Sequence, residues 1–199
     1  MAKYIRSLEP NAIKLKSKVT SIALKHNTGV VVTTNDKDHH KFSHVISTIP
    51  LPVLGTIDLS QAELSPRQSN ALRELDYGPA FKIGLQFKTA WWTTGTDRSG
   101  KRLNIVGGQS YTDRPIRTIV YPSFGNVQAG TTTTLIASYC WTEDATRLGA
   151  LVDKDDAALL NLVLRDLADI HNVTVDFLRS QLIGSKAWSW SSDPYTMGK

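Results

Sequence analysis

Apolar residues recur along this chain in two rhythms. In Phe81 to Phe87 they alternate, with Phe81, Ile83, Leu85 and Phe87 on one side and Lys82, Gly84 and Gln86 on the other, which predicts a strand with one buried face. Between Asp155 and Ile170 the spacing becomes helical: Ala157, Leu160, Leu164, Leu167 and Ala168 share a stripe, so a long amphipathic helix is expected there. Ser65 followed by Pro66 reads as an N-cap with proline at the first helical position, and Ala71, Leu72 and Leu75 give that helix an apolar face until Gly78 closes it.

The amino-terminal part is patterned more loosely. Ile5, Leu8, Ala12, Ile13 and Leu15 suggest a short helix and a turn, because Pro10 interrupts anything longer. Three short runs, Val19 to Leu24, Val30 to Thr34 and His44 to Thr48, predict an antiparallel meander, with Asn27, Thr28 and Gly29 at one turn and the polar DKDHHK at the other. Pro50 and Pro52 bracket an extended exit, and Thr56 to Leu64 an irregular connection. Further strands are expected at Ile116 to Tyr121, Thr132 to Trp141 and Ala187 to Ser191, and a shorter helix at Val173 to Leu182, capped by Thr174. Strands, helix, strands, helices and strand, with no βαβ repeat, place the chain in the α+β class.

Composition narrows the picture. At 199 residues and 41% hydrophobic content the chain can bury one good core or two small ones. The net charge of +5 is scattered over Lys14, Lys16, Lys18, Lys25, Lys82, Lys101, Arg102, Arg114 and Arg117, which does not form a nucleic-acid-binding stripe. Cys140 is the single cysteine, so neither an internal disulfide nor a CxxC metal site is available. No apolar run approaches a membrane span, and no signal peptide opens the chain, which leaves the compartment unassigned.

Chemistry-bearing patterns are few. His39, His40 and His44 with Asp36 and Asp38 span a loop and a strand without a zinc spacing, so a solvated turn is expected and no metal site. No GxSxG elbow accompanies the histidines. Asn172 in NVT is a formal glycosylation sequon, meaningful only in a secreted protein. Spacing alone leaves Lys82 a solvent-facing lysine, Tyr139 and Trp141 in ASYCW an aromatic pair on one strand face, and Trp188 and Trp190 two indoles closing a core.

Three segments change those odds: YGPAFKIGLQF from Tyr77, GGQSYTDRPIRTIVY from Gly107, and AWSWSSDPYTMG from Ala187. Together they resemble the second half of a flavin-containing amine oxidase, closest to the L-amino-acid oxidases, over about Val19 to Gly198. The resemblance implies a partial FAD-binding domain over 1–55, a substrate-binding domain with a mixed sheet flanked by helices over 56–186, and a return strand over 187–199, within a parent that is α/β overall. It implies that Lys82 contacts the flavin N5 through a bound water and that Tyr139 donates its hydroxyl to the substrate carboxylate. Trp141 would then line the side-chain pocket and Trp190 lie against the flavin ring. Asp193, Tyr195 and Gly198 would shape the turn toward it, and the backbone of Val19 would bond the adenine. The implied reaction is oxidative deamination of an L-amino acid to keto acid, ammonia and hydrogen peroxide.

The chain also departs from the family pattern. It has no GxGxxG to hold the FAD pyrophosphate, and Lys199 stands where the family places a small residue. A fragment, inactive alone and completed by a companion chain or a second copy, is therefore expected. Two other readings stay open: a non-catalytic interaction module, and a monoamine or polyamine oxidase. Gly107 and Gly108 suit a tight turn before the strand that Pro115 begins, and Arg114 and Arg117 are expected at the surface, since the family's carboxylate-binding arginine lies outside this stretch.

Overall fold

The computed structural model describes residues 1–26, 29–124 and 133–199, and the chain divides into two compact units, Met1–Asp76 and Tyr77–Lys199. Asn27, Thr28 and the start of the expected strand at Thr132 lie outside the described residues.

The first unit opens with helix α1 (Ala2–Leu8) and a three-stranded antiparallel sheet of β1 (Val19–Lys25), β2 (Gly29–Thr34) and β3 (His39–Phe42). The third strand is not the apolar run at His44 to Thr48. The ladder of β2 is completed by the polar stretch just beyond the turn, with Val32 opposite His40 and Val30 opposite Phe42. Backbone amides need the nearest partner, and an edge strand tolerates polar side chains. Pro50 and Pro52 do not hold an extended exit either: Leu51–Leu54 forms one helical turn, α2, with proline in its first turn where a missing N–H costs nothing. Helix α3 (Pro66–Glu74) has a reciprocal capping box, Gln68 N donating to Ser65 Oγ at 3.3 Å and Ser65 N to Gln68 Oε1 at 2.9 Å. It ends at Leu75, whose extended backbone breaks it before Gly78.

The second unit is built on five antiparallel strands in the order β5 (Gln109–Tyr111), β6 (Thr118–Val120), β7 (Thr134–Trp141), β4 (Ala80–Phe87) and β8 (Leu182–Ser189). Every described ladder here is antiparallel, where a mixed sheet is expected from the sequence; the α+β class itself holds. Strand β4 sits between β7 and β8. Its apolar face is fully buried, with Phe81, Leu85 and Phe87 at 0% exposure, as the alternation requires.

Among the described residues four α-helices accompany the sheet: α4 (Trp91–Thr94), α5 (Thr142–Gly149), α6 (Asp156–Ile170) and α7 (Val175–Gln181). Asp155 and Thr174 cap the last two, accepting from Ala158 N at 3.0 Å and Phe177 N at 3.1 Å. Leu159, Val163, Leu164, Leu167 and Ala168 of α6 join the β4 face in one core, and Trp91, Trp92 and Phe87 pack edge to face, with centroids 5.6 to 6.1 Å apart. Helices α4 and α5 carry no periodic signal long enough to read in advance. Strand β8 begins at Leu182 rather than Ala187, because Leu182 leaves the helical region at the end of α7. It stops before Trp190, which opens a 3-10 turn, Trp190–Ser192.

Candidate functional site

Antiparallel register decides which side chains meet on the open face of the second sheet. Lys82 near the start of β4 lies opposite Tyr139 on β7 and Trp188 on β8, so all three project from the same face. Lys82 Nζ sits 4.3 Å above the centre of the Tyr139 ring and 6.0 Å from that of Trp190, within cation–π reach of both. Tyr139 and Trp141 are in ring contact with centroids 4.2 Å apart, and Trp188 and Trp190 lie 6.2 Å apart. The Lys82 ammonium is held below its ordinary pKa, first by burial and second by the charge of Lys199.

A carboxy-terminal loop closes one end of this face. Gly198 N and Thr196 Oγ1 both donate to Trp190 O, at 3.0 and 2.9 Å, and Tyr195 N donates to Asp193 Oδ1 at 2.7 Å. Gly198 has φ +130°, and a Cβ there would come 2.6 Å from Cβ of Tyr77, so only glycine fits. Beyond it, Lys199 and Gly78 exchange two backbone hydrogen bonds of 3.0 Å. This brings Lys199 Nζ to 4.5 Å from the Tyr139 ring centre and 6.0 Å from that of Trp141.

Lys82, Tyr139, Trp141 and Trp190 are therefore neighbours. Tyr195 is not one of them in the described contacts; its side chain is 78% exposed. Val19 belongs to the first unit, where it begins β1 opposite Thr34. Two members of the cluster, Trp188 and Lys199, were not legible as site residues. Trp188 could have been found by aligning β8 with Lys82, which needs the register; Lys199 needs the loop closure on Gly78.

Other charged candidates are satisfied internally. Arg114 pairs with Asp169 at 3.0 Å and with the buried Asp166 at 3.5 Å, and Arg117 pairs with Asp144, so both arginines do bind carboxylates, but the chain's own. Arg114 sits in a turn closed by Arg117 N on Arg114 O, and the strand that Pro115 was expected to begin starts only at Thr118. His171 is buried; Tyr121 Oη lies 2.6 Å from Nε2 and Leu167 O 2.8 Å from Nδ1, a core network whose burial lowers the imidazole pKa. Burial pushes the Cys140 thiol up to about 11, which leaves it unreactive. His39 and His40 bond to Thr33 and Lys14, and among the described residues no group of three or more His, Cys, Asp or Glu side chains is placed to hold a metal.

The sequence profile of the flavin-containing amine oxidoreductases matches residues 1–199 in full. The chain belongs to that family. It is 46% identical over 206 residues to L-amino-acid oxidase 4 of Hebeloma cylindrosporum, covering 100% of this chain and 33% of that protein. It is 37% identical over 138 residues to an L-amino-acid oxidase of Siganus canaliculatus, covering 69% of this chain and 24% of that one. The fold matches putrescine oxidase bound to putrescine with a TM-score of 0.70 at 14% identity, over 100% of this chain and 39% of the other. The chain thus spans about a third of the length of the relatives it matches.

The family implies a flavin, and the open face can be tested for fit. Trp190 Nε1 is buried without a hydrogen-bond partner among the described residues, and beside it lies a partly buried ammonium on an aromatic wall. An orphan indole N–H, a cation and flat apolar rings suit a planar heterocycle with polar edges.

Proposed function

We propose that this chain supplies the substrate-binding part of an FAD-dependent oxidase that deaminates L-amino acids. The observation that carries the reading is Lys82, a cation without an anionic partner among the described residues, set on an open aromatic face between Tyr139 and the indoles of Trp188 and Trp190. When bound, the flavin supplies hydride acceptance from the substrate α-carbon and reoxidation by oxygen, giving imine, then keto acid and ammonia, with hydrogen peroxide.

The chain's own residues do the rest. Trp190 would lie against the isoalloxazine and give its free N–H an acceptor, while Lys82, whose proton is held less firmly than an exposed lysine's, keeps a positive charge and a hydrogen-bond donor beside the reacting edge. Tyr139 would donate to the substrate carboxylate, and Trp141 would wall the side-chain pocket and exclude water. Val19 would hold the adenine by its backbone, and Tyr195 would shape the approach to the ring. The boundaries 1–55, 56–186 and 187–199 are proposed as the parts falling to the FAD-binding domain, the substrate domain and the return strand. The pyrophosphate-binding GxGxxG would come from outside this stretch of sequence, in the same polypeptide or a companion chain.

Lumiflavin, the ring without its nucleotide, tests this directly on the purified chain. Saturable quenching of tryptophan fluorescence that Trp190→Ala abolishes is expected; absence of quenching overturns the reading. The close L-amino-acid oxidase relatives favour an amino acid over a diamine, and the likeness to putrescine oxidase supports the fold alone.

A further inference from the structure

Trp141 stands at a junction that local sequence does not favour. It is the last ladder residue of β7, opposite Ala80, and the residue after it, Thr142, opens α5 with φ +57°. A β-branched residue rarely adopts that left-handed region, so the junction persists only where its surroundings hold it. Two bonds do so locally: Thr142 N donates to Pro79 O at 3.2 Å, and Thr142 Oγ1 donates to Trp141 O at 2.8 Å.

A third constraint arrives from a distant part of the chain. Arg117 Nε donates to Oδ2 of Asp144, a buried carboxylate in the first turn of α5. Arg147 reaches Oδ1 of the same group only at 3.4 Å and from a side chain that is 74% exposed, so Arg117 is the closer partner. Arg117 is itself pinned. Its φ is +52°, its N donates to Arg114 O and its carbonyl accepts from Thr112 N, both at 2.9 Å. Arg114 in turn is tied by ion pairs to Asp166 and Asp169 of α6. Helix α6, this turn, Asp144 and the start of α5 form one connected path that ends beside Trp141.

The indole has somewhere else to go. It rests on Tyr139, with centroids 4.2 Å apart, but a cavity of about 710 Å³ lined by Tyr111, Thr112, Arg117 and Arg147 borders Trp141 and not Tyr139. An aromatic side chain between a neighbour and open space takes its position from its backbone, and here that backbone is strained and clamped. We infer that Arg117 is a positioning residue: acting through Asp144, it keeps Trp141 on Tyr139 and so sets the size of side chain the substrate pocket admits, on the reading of Trp141 as the pocket wall proposed above. With the clamp released, Thr142 relaxes toward an ordinary conformation, the indole moves toward the cavity and the pocket widens.

Fluorine NMR of the purified chain labelled with fluorotryptophan tests the positioning. The chain has five tryptophans, and Trp141→Phe identifies the resonance of Trp141. Arg117→Met is expected to shift that resonance and to leave those of the buried Trp91 and Trp92 in place. Arg117→Lys, which keeps the charge, is expected to restore the wild-type position. Asp144→Asn is expected to give the same shift as Arg117→Met, and the two together no more than either alone, because one interaction is lost only once. Circular dichroism checks each fold. A Trp141 resonance that stays put in both single variants, equal movement of Trp91 and Trp92, additive shifts, or no rescue by lysine overturns the inference.

The consequence for selectivity is read on the same chain saturated with lumiflavin. Arg117→Met is expected to raise the affinity for L-phenylalanine relative to L-alanine by about tenfold, the scale on which an apolar pocket discriminates side-chain size. Lumiflavin bound with an unchanged ratio, or with no response to either amino acid, overturns the size-setting role. Failure of the wild type to bind lumiflavin overturns instead the functional reading on which that role rests, and the resonance of Trp141 still decides whether Arg117 positions it.

Discussion

The two compact units solve the burial problem to very different degrees. Among the described residues the second unit holds nearly all the buried apolar side chains, and those from Phe81 to Leu178 form one cluster joining the sheet to α4, α5, α6 and α7. The first unit contributes only Ile57 and Thr34 to the buried set, and most residues of strands β1 and β2 of its small sheet are only half-buried. Ile22, Leu24, Val30, Leu54, Leu64 and Leu72 instead line an apolar groove of about 390 Å³ within that unit. A three-stranded sheet whose apolar side chains border a groove has little with which to offset its chain entropy, whereas a layer of helices on a central strand has enough.

The largest test of that contrast separates the units. Residues 77–199 expressed alone are expected to unfold cooperatively on heating, and residues 1–76 alone to show no cooperative transition, both read by circular dichroism. A cooperative transition in the smaller piece would erase the distinction.

Single side chains sharpen it further. Phe81→Ala on the buried face of β4 is expected to cost about 3–5 kcal/mol in urea unfolding, since the ring is fully buried and the helices across from it cannot follow into the space. Leu24→Ala in β1, half-buried at the edge of the groove, is expected to cost less than half as much. Gly198→Ala comes next: a side chain in a left-handed conformation against Tyr77 costs about 1–3 kcal/mol or displaces the loop. A shift in Trp190 emission with little change in unfolding midpoint would show that the loop gives way and the core does not.

How much of this was legible follows the same division. Strong alternation in Phe81 to Phe87 and the 3.6-residue stripe in α6 were readable, because one buried face imposes the period on the sequence. In the first unit that constraint is weak, and the apolar pattern points to His44 to Thr48 for the third strand where hydrogen bonding selects His39–Phe42. Trp141 and Tyr139 could be seen to share a face from their spacing. That Lys82 faces Tyr139 and Trp188 depends on the register of three strands far apart in sequence, and Lys199 depends on the loop folding back onto Gly78; no local pattern encodes either.

The smallest effect concerns the open face of the same strand. Burial and the neighbouring Lys199 lower the pKa of Lys82 below the 10.5 of an ordinary lysine, so the protonated side chain is less comfortable folded than unfolded. In the window between the lowered value and 10.5 the unfolded chain binds more protons, and wild-type stability rises with pH; below that window the penalty is constant and complete. Lys82→Met keeps the length of the side chain and removes the charge. The variant is therefore expected to match or exceed the wild type at neutral pH, by less than about 1 kcal/mol because Lys82 keeps contact with solvent, and to lose that advantage as pH approaches 10.5. Urea unfolding of both proteins at pH about 7 and about 10 measures the difference. An advantage that grew with pH would mean that the ammonium is stabilised on this face, and would remove the electrostatic conflict on which its readiness for an anion depends.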